Sequence, residues 1–201
     1  TALSPDEIAQ IYNEKRSQFY TPIPKDALVG HWKLNDEHGT NIHDYSNSGN
    51  HGTMSSSPLW TTTTQGTVLD FDGTDDYVNL GTITTNFSGG FTLTGWVKWD
   101  NASGGARIID WSESGSSNDN IIIRTGSSSS IIFEVYIGST QNYLYASSYI
   151  TTDTWTFVTF TIDSSGNAKI YKNVILQASG ALAVPASVNR ATSYIGKSNW
   201  A

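Results

Sequence analysis

The chain has 201 residues, of which 37% are hydrophobic and 12% aromatic, so it can form a packed core, and we expect a single domain. The absence of cysteine excludes disulfides, thiolate nucleophiles and cysteine zinc sites, and the lack of any run of about 18 apolar residues argues against a membrane-inserted segment. A net charge of −7 with no cluster of lysine or arginine argues against nucleic-acid binding.

The first predicted element is a short helix. Ser4 opens an S-x-x-E capping box that has proline at the first helical position. Ile8, Ile11 and Tyr12 follow at helical spacing and form one apolar stripe, which must pack against another element. Residues 14–26 contain two prolines and read as an extended linker.

After residue 27 the sequence changes to short strands separated by Gly, Asn, Asp and Ser clusters. Several segments alternate between apolar and polar residues, as half-buried strands do. The predicted strands are 28–34, 67–71, 77–80, 91–99, 106–111, 120–124, 131–137, 143–147, 154–162, 168–171, 174–178 and 192–195. Because no helix separates them, we predict an all-β, antiparallel sandwich of two sheets. The Ser and Thr runs at 55–57, 61–64 and 127–130 are predicted to be loops or hairpin tips.

Six segments resemble one known family. They are VGHWKL at 29–34, DYSNSGNHGT at 44–53, LDFDGTDDYV at 69–78, FTLTGWVK at 91–98, WTFVTF at 155–160 and YIG at 194–196. In this order they resemble the laminin-G-like jelly-roll domain of the concanavalin A-like lectin/glucanase superfamily, and the resemblance covers residues 28–198. It implies a jelly roll of two curved antiparallel sheets at 27–201, often with bound calcium and often with a carbohydrate- or protein-binding role.

The chain departs from the family pattern in two places. The family usually has Asn-Gly in a hairpin where this chain has Asn173 and Val174, and because valine resists positive φ, we expect a longer turn or one of another type. The family's closing strand, with paired aspartates, is not found after Ile195, whereas residues 2–8 resemble its closing helix. Residues 1–26 are therefore interpreted as a helix and linker outside the sandwich.

Three explanations of this arrangement remain open: a slice of a tandem array, a cut or incompletely recorded chain, or a circular permutation. The absence of the closing strand predicts an unpaired sheet edge beside residues 192–195, which would accept a strand from a neighbour.

A calcium site is expected in the loop at residues 44–50. Asp44, Asn47 and Asn50 offer oxygens at near-alternate positions, and Asp36 or Glu37 is a further candidate. Calcium takes about six to eight oxygen ligands, and such a loop can supply several of them, so we predict a structural Ca²⁺. The alternative is an Asx-turn network, in which the same side chains cap their own backbone.

Two other clusters have competing interpretations. The acids Asp70, Asp72, Asp75 and Asp76 are either a second cation site or turn-forming residues, and we favour the turn. All four histidines lie between residues 31 and 51, but their spacing is not that of a helical zinc motif. We therefore expect hydrogen-bonding roles for these histidines.

A glycan site is predicted on a concave sheet face. Sugar recognition pairs aromatic rings with amides and charged groups, because a sugar ring offers C–H faces and rim hydroxyls. The predicted ligand-binding residues lie on consecutive strands and loops; they are Trp111, Asn118, Asp119, Arg124, Tyr143 and Tyr145. Trp32, Trp96 and Trp155 are expected in the core.

No catalytic residues are predicted. The sequence lacks the E-x-D-x-x-E strand of the laminarinase branch and any G-x-S-x-G motif. The favoured function is a non-catalytic, lectin-like carbohydrate-binding module of a larger extracellular, adhesin-like or virion-surface protein. The alternative is a structural spacer or virion decoration without a glycan ligand. The expected partners are a glycan or a neighbouring protein subunit or repeat, with no nucleic acid and no membrane insertion.

Overall fold

A computed structural model describes residues 2–12, 23–36, 38–55, 58–115 and 118–200. Within these residues the chain forms one α-helix, α1 (Pro5–Tyr12), a 3-10 turn at Lys25–Ala27, and fourteen strands. The strands are β1 (Asn41–Ile42), β2 (Gly52–Ser55), β3 (Leu59–Thr63), β4 (Gly66–Asp70), β5 (Tyr77–Asn79), β6 (Gly90–Val97), β7 (Arg107–Ser112), β8 (Ile121–Thr125), β9 (Ile131–Ile137), β10 (Thr140–Ala146), β11 (Thr156–Asp163), β12 (Asn167–Lys172), β13 (Ile175–Ala181) and β14 (Thr192–Ile195). None of the described helical residues forms a segment long and apolar enough to cross a bilayer.

The strands form two main antiparallel sheets. The larger sheet has eight strands in the order β1-β2-β5-β14-β7-β8-β9-β10, and the smaller has four in the order β13-β12-β11-β6. A separate hairpin joins β3 to β4. This architecture confirms the predicted all-β jelly-roll sandwich.

The core lies between the two sheets and follows from the alternation of the strands. On β9, Ile131, Phe133 and Val135 are fully buried and point to the smaller sheet. Phe133 contacts Phe160 of β11 with ring centres 5.9 Å apart. Each such apolar side chain contributes about 1.5–3 kcal/mol when it is buried, so the sandwich is stabilised mainly by this layer.

Helix α1 packs on the outer face of the smaller sheet. Its capping box is present: the Ser4 main-chain N–H donates to Glu7 Oε2 at 2.7 Å, and the Glu7 N–H donates to Ser4 Oγ at 3.3 Å. Ile8 is fully buried in a small apolar cluster beside the sheet, and the Tyr12 ring stacks on Trp96 at 5.6 Å. The expectation of a core Trp96 is wrong, because Trp96 alternates out of phase with the core-facing residues of β6 and is 51% exposed.

The predicted open edge beside residues 192–195 is wrong. Strand β14 lies inside the larger sheet, where Tyr194 pairs with Asn79 of β5 on one side and with Asp110 of β7 on the other. Neighbouring strands therefore supply the main-chain partners on both sides of β14. In the described part of the chain, the sheet edges are β1 and β10 in the larger sheet and β6 and β13 in the smaller one.

The first predicted strand, at 28–34, is absent. Only Trp32 forms an isolated bridge, to Asp44. The reason is that the His31 main-chain N–H donates to the Asp44 side chain at 2.8 Å, and a side-chain acceptor does not propagate a ladder. Conversely, the Thr run predicted as a loop at 61–64 contributes its first three residues to β3.

The turn at Asn173 and Val174 also differs from expectation. Lys172 pairs with Ile175, so the hairpin connection has only two residues, with φ of 48° at Asn173 and 67° at Val174. Two positive φ values are typical of a type I′ turn, and valine therefore occupies a left-handed conformation that it resists. Contacts hold the turn: Asn173 Oδ1 accepts the Phe157 N–H at 2.8 Å, and Val174 packs beside α1.

Candidate functional site

The outward side chains of the larger sheet align in rows that cross the strands. Directly opposite residues of antiparallel strands project from the same face, so the pairing register identifies each row. The longest row, here called the central row, contains Tyr143, Glu134, Ile122, Asp110, Tyr194, Asn79, Thr53 and Asn41. It runs across all eight strands and includes aromatic, amide and carboxylate groups.

A buried ion pair lies near one end of the central row. Arg124 donates to Glu134 Oε1 from Nε at 3.0 Å and from Nη2 at 2.5 Å, and Gln141 Nε2 donates to the same oxygen at 2.9 Å. The Glu134 side chain is 1% exposed and that of Arg124 is 24% exposed. The three side chains hold one another in fixed positions, with Glu134 buried and Gln141 exposed.

Two exposed tyrosines on β10 flank this ion pair. Tyr143 pairs directly with Glu134, and Tyr145 pairs with Ile132, so both rings lie on the outer face. Each is 57% exposed, although tyrosine carries a large apolar ring. Residues two apart on a strand are about 7 Å apart, so the two rings form a short aromatic strip along β10.

Residues 196–200, here called the crossing segment, turn back over the same face. Gly196 has a φ of 85°, and a Cβ there would lie 2.9 Å from the Phe71 ring, so glycine is required at the turn. Lys197 then lies above the rings of Tyr77 and Tyr194, with Nζ at 4.1 Å and 5.2 Å from the ring centres.

Asn199 of the crossing segment binds Asp110 in the middle of the central row. Its main-chain N–H donates to Asp110 Oδ2 at 3.0 Å, and its Nδ2 donates to Asp110 Oδ1 and to the Asp110 main-chain O, both at 2.9 Å. Asn120 Nδ2 adds a bond to Oδ1 at 2.8 Å. Arg107 Nε lies 3.6 Å from Oδ2, close enough for an ion pair but too long for a hydrogen bond.

Trp200 completes the crossing segment and was missed in the sequence analysis. Its ring lies 5.5 Å from the ring of Tyr136, and the Arg107 guanidinium lies 5.3 Å from its centre. Burial, together with the nearby Glu134 charge, raises the pKa of Tyr136. The sequence feature that could have indicated this segment is an amide followed by an indole, Asn199-Trp200, shortly after the last predicted strand.

Of the six predicted ligand-binding residues, Arg124, Tyr143 and Tyr145 lie together on the outer face. Trp111 does not: it is 4% exposed and contacts the rings of Trp32 and Phe87 in the core. The physical reason is that Trp111 shares its face of β7 with Ile109, whereas Asp110 points outward.

The other two predicted ligand residues connect loops at the end of the sheet. Asp119 Oδ1 accepts the Gly138 N–H at 2.9 Å, which ties the loop before β8 to the turn between β9 and β10. Asn118 Nδ2 donates to Glu113 Oε2 at 2.7 Å. Both side chains are thus engaged in contacts between loop residues at the end of the sheet.

The predicted calcium loop is built around Asp44, which is 3% exposed. Asp44 Oδ1 accepts the main-chain N–H groups of His31 at 2.8 Å and Ser46 at 2.9 Å, and Oδ2 accepts Ser46 Oγ and the Asn50 N–H, both at 2.8 Å. Burial alone would raise the pKa of Asp44, but these hydrogen bonds outweigh it and hold that pKa below its usual value. Four protein donors fill the lone pairs that a calcium ion would need.

The remaining predicted calcium ligands also bind protein groups. Asn47 Nδ2 donates to Asp26, and Asn50 Nδ2 donates to the Val29 carbonyl at 2.7 Å. Asp36 Oδ1 accepts the Tyr45 hydroxyl at 3.3 Å. Glu37 lies outside the described residues. The four donors on Asp44 fit the Asx-turn alternative. The bonds of Asn47 and Asn50 engage Nδ2 and not the amide oxygen that a cation would take, and Asp36 Oδ2 is buried without a hydrogen-bond partner, so a calcium ion at this loop stays a prediction.

The acid cluster and the histidines have simple local contacts. Asp72, Asp75 and Asp76 each place one carboxylate oxygen within 4.8 Å of the others, while Asp72 Oδ1 accepts the Thr74 N–H at 2.8 Å, as in a turn. His51 Nδ1 accepts the Asp44 N–H at 3.2 Å, which agrees with a hydrogen-bonding role.

Solved structures similar to this chain share the sandwich at low sequence identity. Domain 4 of AbnA, a GH43 extracellular arabinanase from Geobacillus stearothermophilus in complex with arabinotriose, matches with a TM-score of 0.66 and 16% identity, over 87% of this chain and 84% of that one. The botulinum neurotoxin serotype D binding domain matches with a TM-score of 0.66 and 15% identity, over 86% of this chain and 44% of that one.

A third structure, an S-layer domain-containing protein from Clostridium thermocellum, has a TM-score of 0.53 and 22% identity, over 78% of this chain and 74% of that one. These likenesses show the fold. No curated protein sequence matches the chain. A family model described as the Concanavalin A-like lectin/glucanases superfamily matches residues 72–201, more than half of the chain. With the jelly-roll sandwich and this match, the chain belongs to the concanavalin A-like lectin/glucanase superfamily.

Proposed function

We propose that the chain is a non-catalytic carbohydrate-binding module of a larger extracellular protein and that it binds glycan on the outer face of its eight-stranded sheet. The observation that carries the proposal is the pair of exposed tyrosines beside a fixed polar group. Tyr143 and Tyr145 offer ring faces, and the half-buried Arg124 and the exposed Gln141, both fixed by the buried Glu134, offer polar atoms next to them. Sugar rings need this combination of C–H contact and hydroxyl recognition.

The state of the carboxylates supports binding without catalysis. Asp110 and Glu134 lie in the central row two strands apart, and their side chains are 0% and 1% exposed. Each accepts several protein hydrogen bonds. Glycoside hydrolysis requires two carboxyl groups that reach the scissile bond, one of which delivers a proton. Buried carboxylates held by protein donors are poorly placed for that work.

The structural neighbours are consistent with this proposal. The arabinanase domain was solved with arabinotriose, and a botulinum neurotoxin type C structure is described in terms of two ganglioside molecules. The arabinanase is extracellular by its own description, and another neighbour is an S-layer domain-containing protein. These neighbours support an extracellular binding module.

The proposal is tested by calorimetric titration with arabinotriose and by a glycan array, using the wild type and the variants Tyr143→Ala and Tyr145→Ala. We expect each variant to weaken binding about tenfold or more, because a lost ring contact of about 1.4 kcal/mol corresponds to a factor of ten. Leu59→Ala is the matched control, since Leu59 is 67% exposed on the separate β3–β4 hairpin. Binding that survives in both tyrosine variants would contradict the proposed face, and silence on every glycan would contradict the function.

A protein-contact role is the second candidate, and a different feature favours it. Strand β6 has eight residues and no charged side chain, and among the described residues it pairs only with β11. Such edges accept strands from other chains. Light scattering across a concentration series tests this role: a stable monomer that binds glycan would reject it.

A further inference from the structure

We propose that the outer face carries a second contact point, centred on Lys197, that holds a singly charged anionic group of the glycan, a carboxylate or a sulfate ester. The inference rests on the proposed function and specifies the ligand class. The contact point consists of the Lys197 ammonium and the two tyrosine rings beneath it, Tyr77 and Tyr194. None of these three residues was predicted from the sequence to bind a ligand.

The ammonium is held in place by two neighbouring strands. Tyr77 on β5 and Tyr194 on β14 contact each other edge-to-face, with ring centres 5.4 Å apart and planes at 78°. Lys197 Nζ lies above both rings, and the left-handed turn at Gly196 directs the chain back to this position. Because the ammonium already lies against both rings, less side-chain freedom is lost when an anion binds.

The charge of Lys197 has no carboxylate partner, unlike the other cations of this face. Arg124 is paired with Glu134 at 2.5 Å, and Arg107 lies 3.6 Å from Asp110. Within the part of the chain that the structure describes, no carboxylate oxygen lies within 4.0 Å of Lys197. The arginines are thus neutralised locally, and the ammonium is the positive charge that this face offers to a ligand.

The surroundings of the ammonium supply further polar groups. A hydrogen bond with the Ser55 side chain lowers the pKa of Tyr77, and burial partly offsets it. The charge of Lys197 and a hydrogen bond between Lys197 and the Tyr77 side chain lower that pKa further. Asn79 is exposed next to Tyr194 in the central row. The single positive charge of the ammonium matches a singly charged group on a sugar, and the nearby hydroxyl and amide groups can bind its oxygens.

The distance between the two contact points defines the size of the ligand. Tyr194 and Tyr143 both lie in the central row, on β14 and β10, which are four strand spacings apart. At about 4.8 Å per spacing, these two strand positions are about 19 Å apart, and Asn199 and Trp200 of the crossing segment contact the strands between them. A glycan that reaches both contact points must therefore contain several sugars. A short neutral glycan would bind at the tyrosine strip alone and would not contact Lys197.

The test is an array that presents each oligosaccharide backbone in neutral, carboxylate-bearing and sulfate-ester forms, followed by titration with the best matched set. The proteins are the wild type, Lys197→Gln, Lys197→Arg and the control Lys25→Gln, which removes the same charge from the exposed 3-10 turn. We expect an acidic form to bind about tenfold more tightly than its neutral parent, as a charge-assisted hydrogen bond provides. Lys197→Gln should abolish this preference without changing neutral binding, and Lys197→Arg should retain most of it.

The outcomes separate this inference from the proposed function. Equal binding of neutral and acidic forms by the wild type would overturn the Lys197 contact and leave the tyrosine strip standing. The same conclusion follows if Lys197→Gln keeps the acidic preference or weakens neutral and acidic forms alike. Silence of every form would overturn the proposed function and this inference together. Preference for the carboxylate over the sulfate, or the reverse, identifies which group the site holds.

Discussion

Asn199 and Asp110 are joined by three hydrogen bonds although 89 residues separate them in the chain. Asp110 is fully buried, and a buried carboxylate is costly unless donors surround it. Asn199 supplies two of the donors to that carboxylate. The crossing segment therefore stabilises the sheet and also forms part of its outer surface.

The first prediction concerns this contact. Asn199→Ala should lower the free energy of unfolding by about 1–3 kcal/mol, because Asp110 stays buried with fewer donors. Urea denaturation followed by tryptophan fluorescence measures the change. Asn35→Ala, at an exposed position, is the control and should change stability by less than about 0.5 kcal/mol. An equal effect of the two substitutions would show that the crossing segment does not stabilise the sheet.

The second prediction concerns the pH dependence of the Asp44 loop. Because hydrogen bonds hold the pKa of Asp44 below its usual value, the folded chain binds that proton more weakly than the unfolded chain does. The stability that the carboxylate contributes is therefore present above the unfolded pKa of about 3.9 and is lost as pH falls through the folded pKa. The difference in unfolding free energy between wild type and Asp44→Asn should be constant above about pH 5 and should shrink below about pH 4.

The same pair of proteins tests the calcium expectation. Four protein donors occupy the Asp44 carboxylate. Added Ca²⁺ should therefore have the same effect on the melting temperature of the wild type and of Asp44→Asn, whether or not it stabilises either protein. The effect of Ca²⁺ on the melting temperature of a triple variant, Asp72→Asn, Asp75→Asn, Asp76→Asn, tests in the same way whether the ion binds the acid cluster. A calcium-dependent stabilisation that disappears only in Asp44→Asn would restore the loop as the calcium site.

The third prediction concerns the strained turn. Val174 has a φ of 67°, a conformation that costs an L-residue about 1–2 kcal/mol and glycine almost nothing. Val174→Ala loses the contact beside α1 and keeps the strain, whereas Val174→Gly loses the contact and relieves it. The glycine variant should therefore be more stable than the alanine variant by about 1 kcal/mol in urea denaturation. The reverse order would mean that the turn is not left-handed at this position.

Strong local patterns explain which parts of the fold were predictable. On β9 the core-facing Ile131, Phe133 and Val135 fall at every second position, and on β11 so do Val158, Phe160 and Ile162, so both strands could be predicted from the sequence. β1 has only two residues, which is too short for any periodicity, and the predicted strand at 28–34 failed because the Asp44 side chain takes the bond from His31. Hydrogen bonds to distant side chains and strain in turns depend on tertiary contacts. They cannot be predicted from the residues of one short segment.

The candidate site was predictable only in part, for a similar reason. Tyr143, Tyr145 and Arg124 were found because aromatic and charged residues on successive strands suggested a sugar-binding face. Trp111 lies two residues after Ile109 on β7 and therefore shares its face of the strand. The alternation of side chains along β7 thus predicts a core position for Trp111. The contacts of Lys197 and Trp200 depend on a chain reversal at Gly196 and on strand order, which a single sequence does not reveal.

The fourth prediction compares the two halves of the buried ion pair. Arg124→Met leaves the Glu134 carboxylate 1% exposed with Gln141 as its remaining side-chain donor, whereas Glu134→Gln leaves Arg124, which is 24% exposed and partly hydrated. Removal of one partner of a buried pair costs about 3–5 kcal/mol when the other charge stays buried. Arg124→Met should therefore approach that cost in urea denaturation, and Glu134→Gln should cost clearly less. Equal losses would mean that Glu134 gains access to water when Arg124 is removed, and the tyrosine strip would then border a flexible polar group instead of a fixed one.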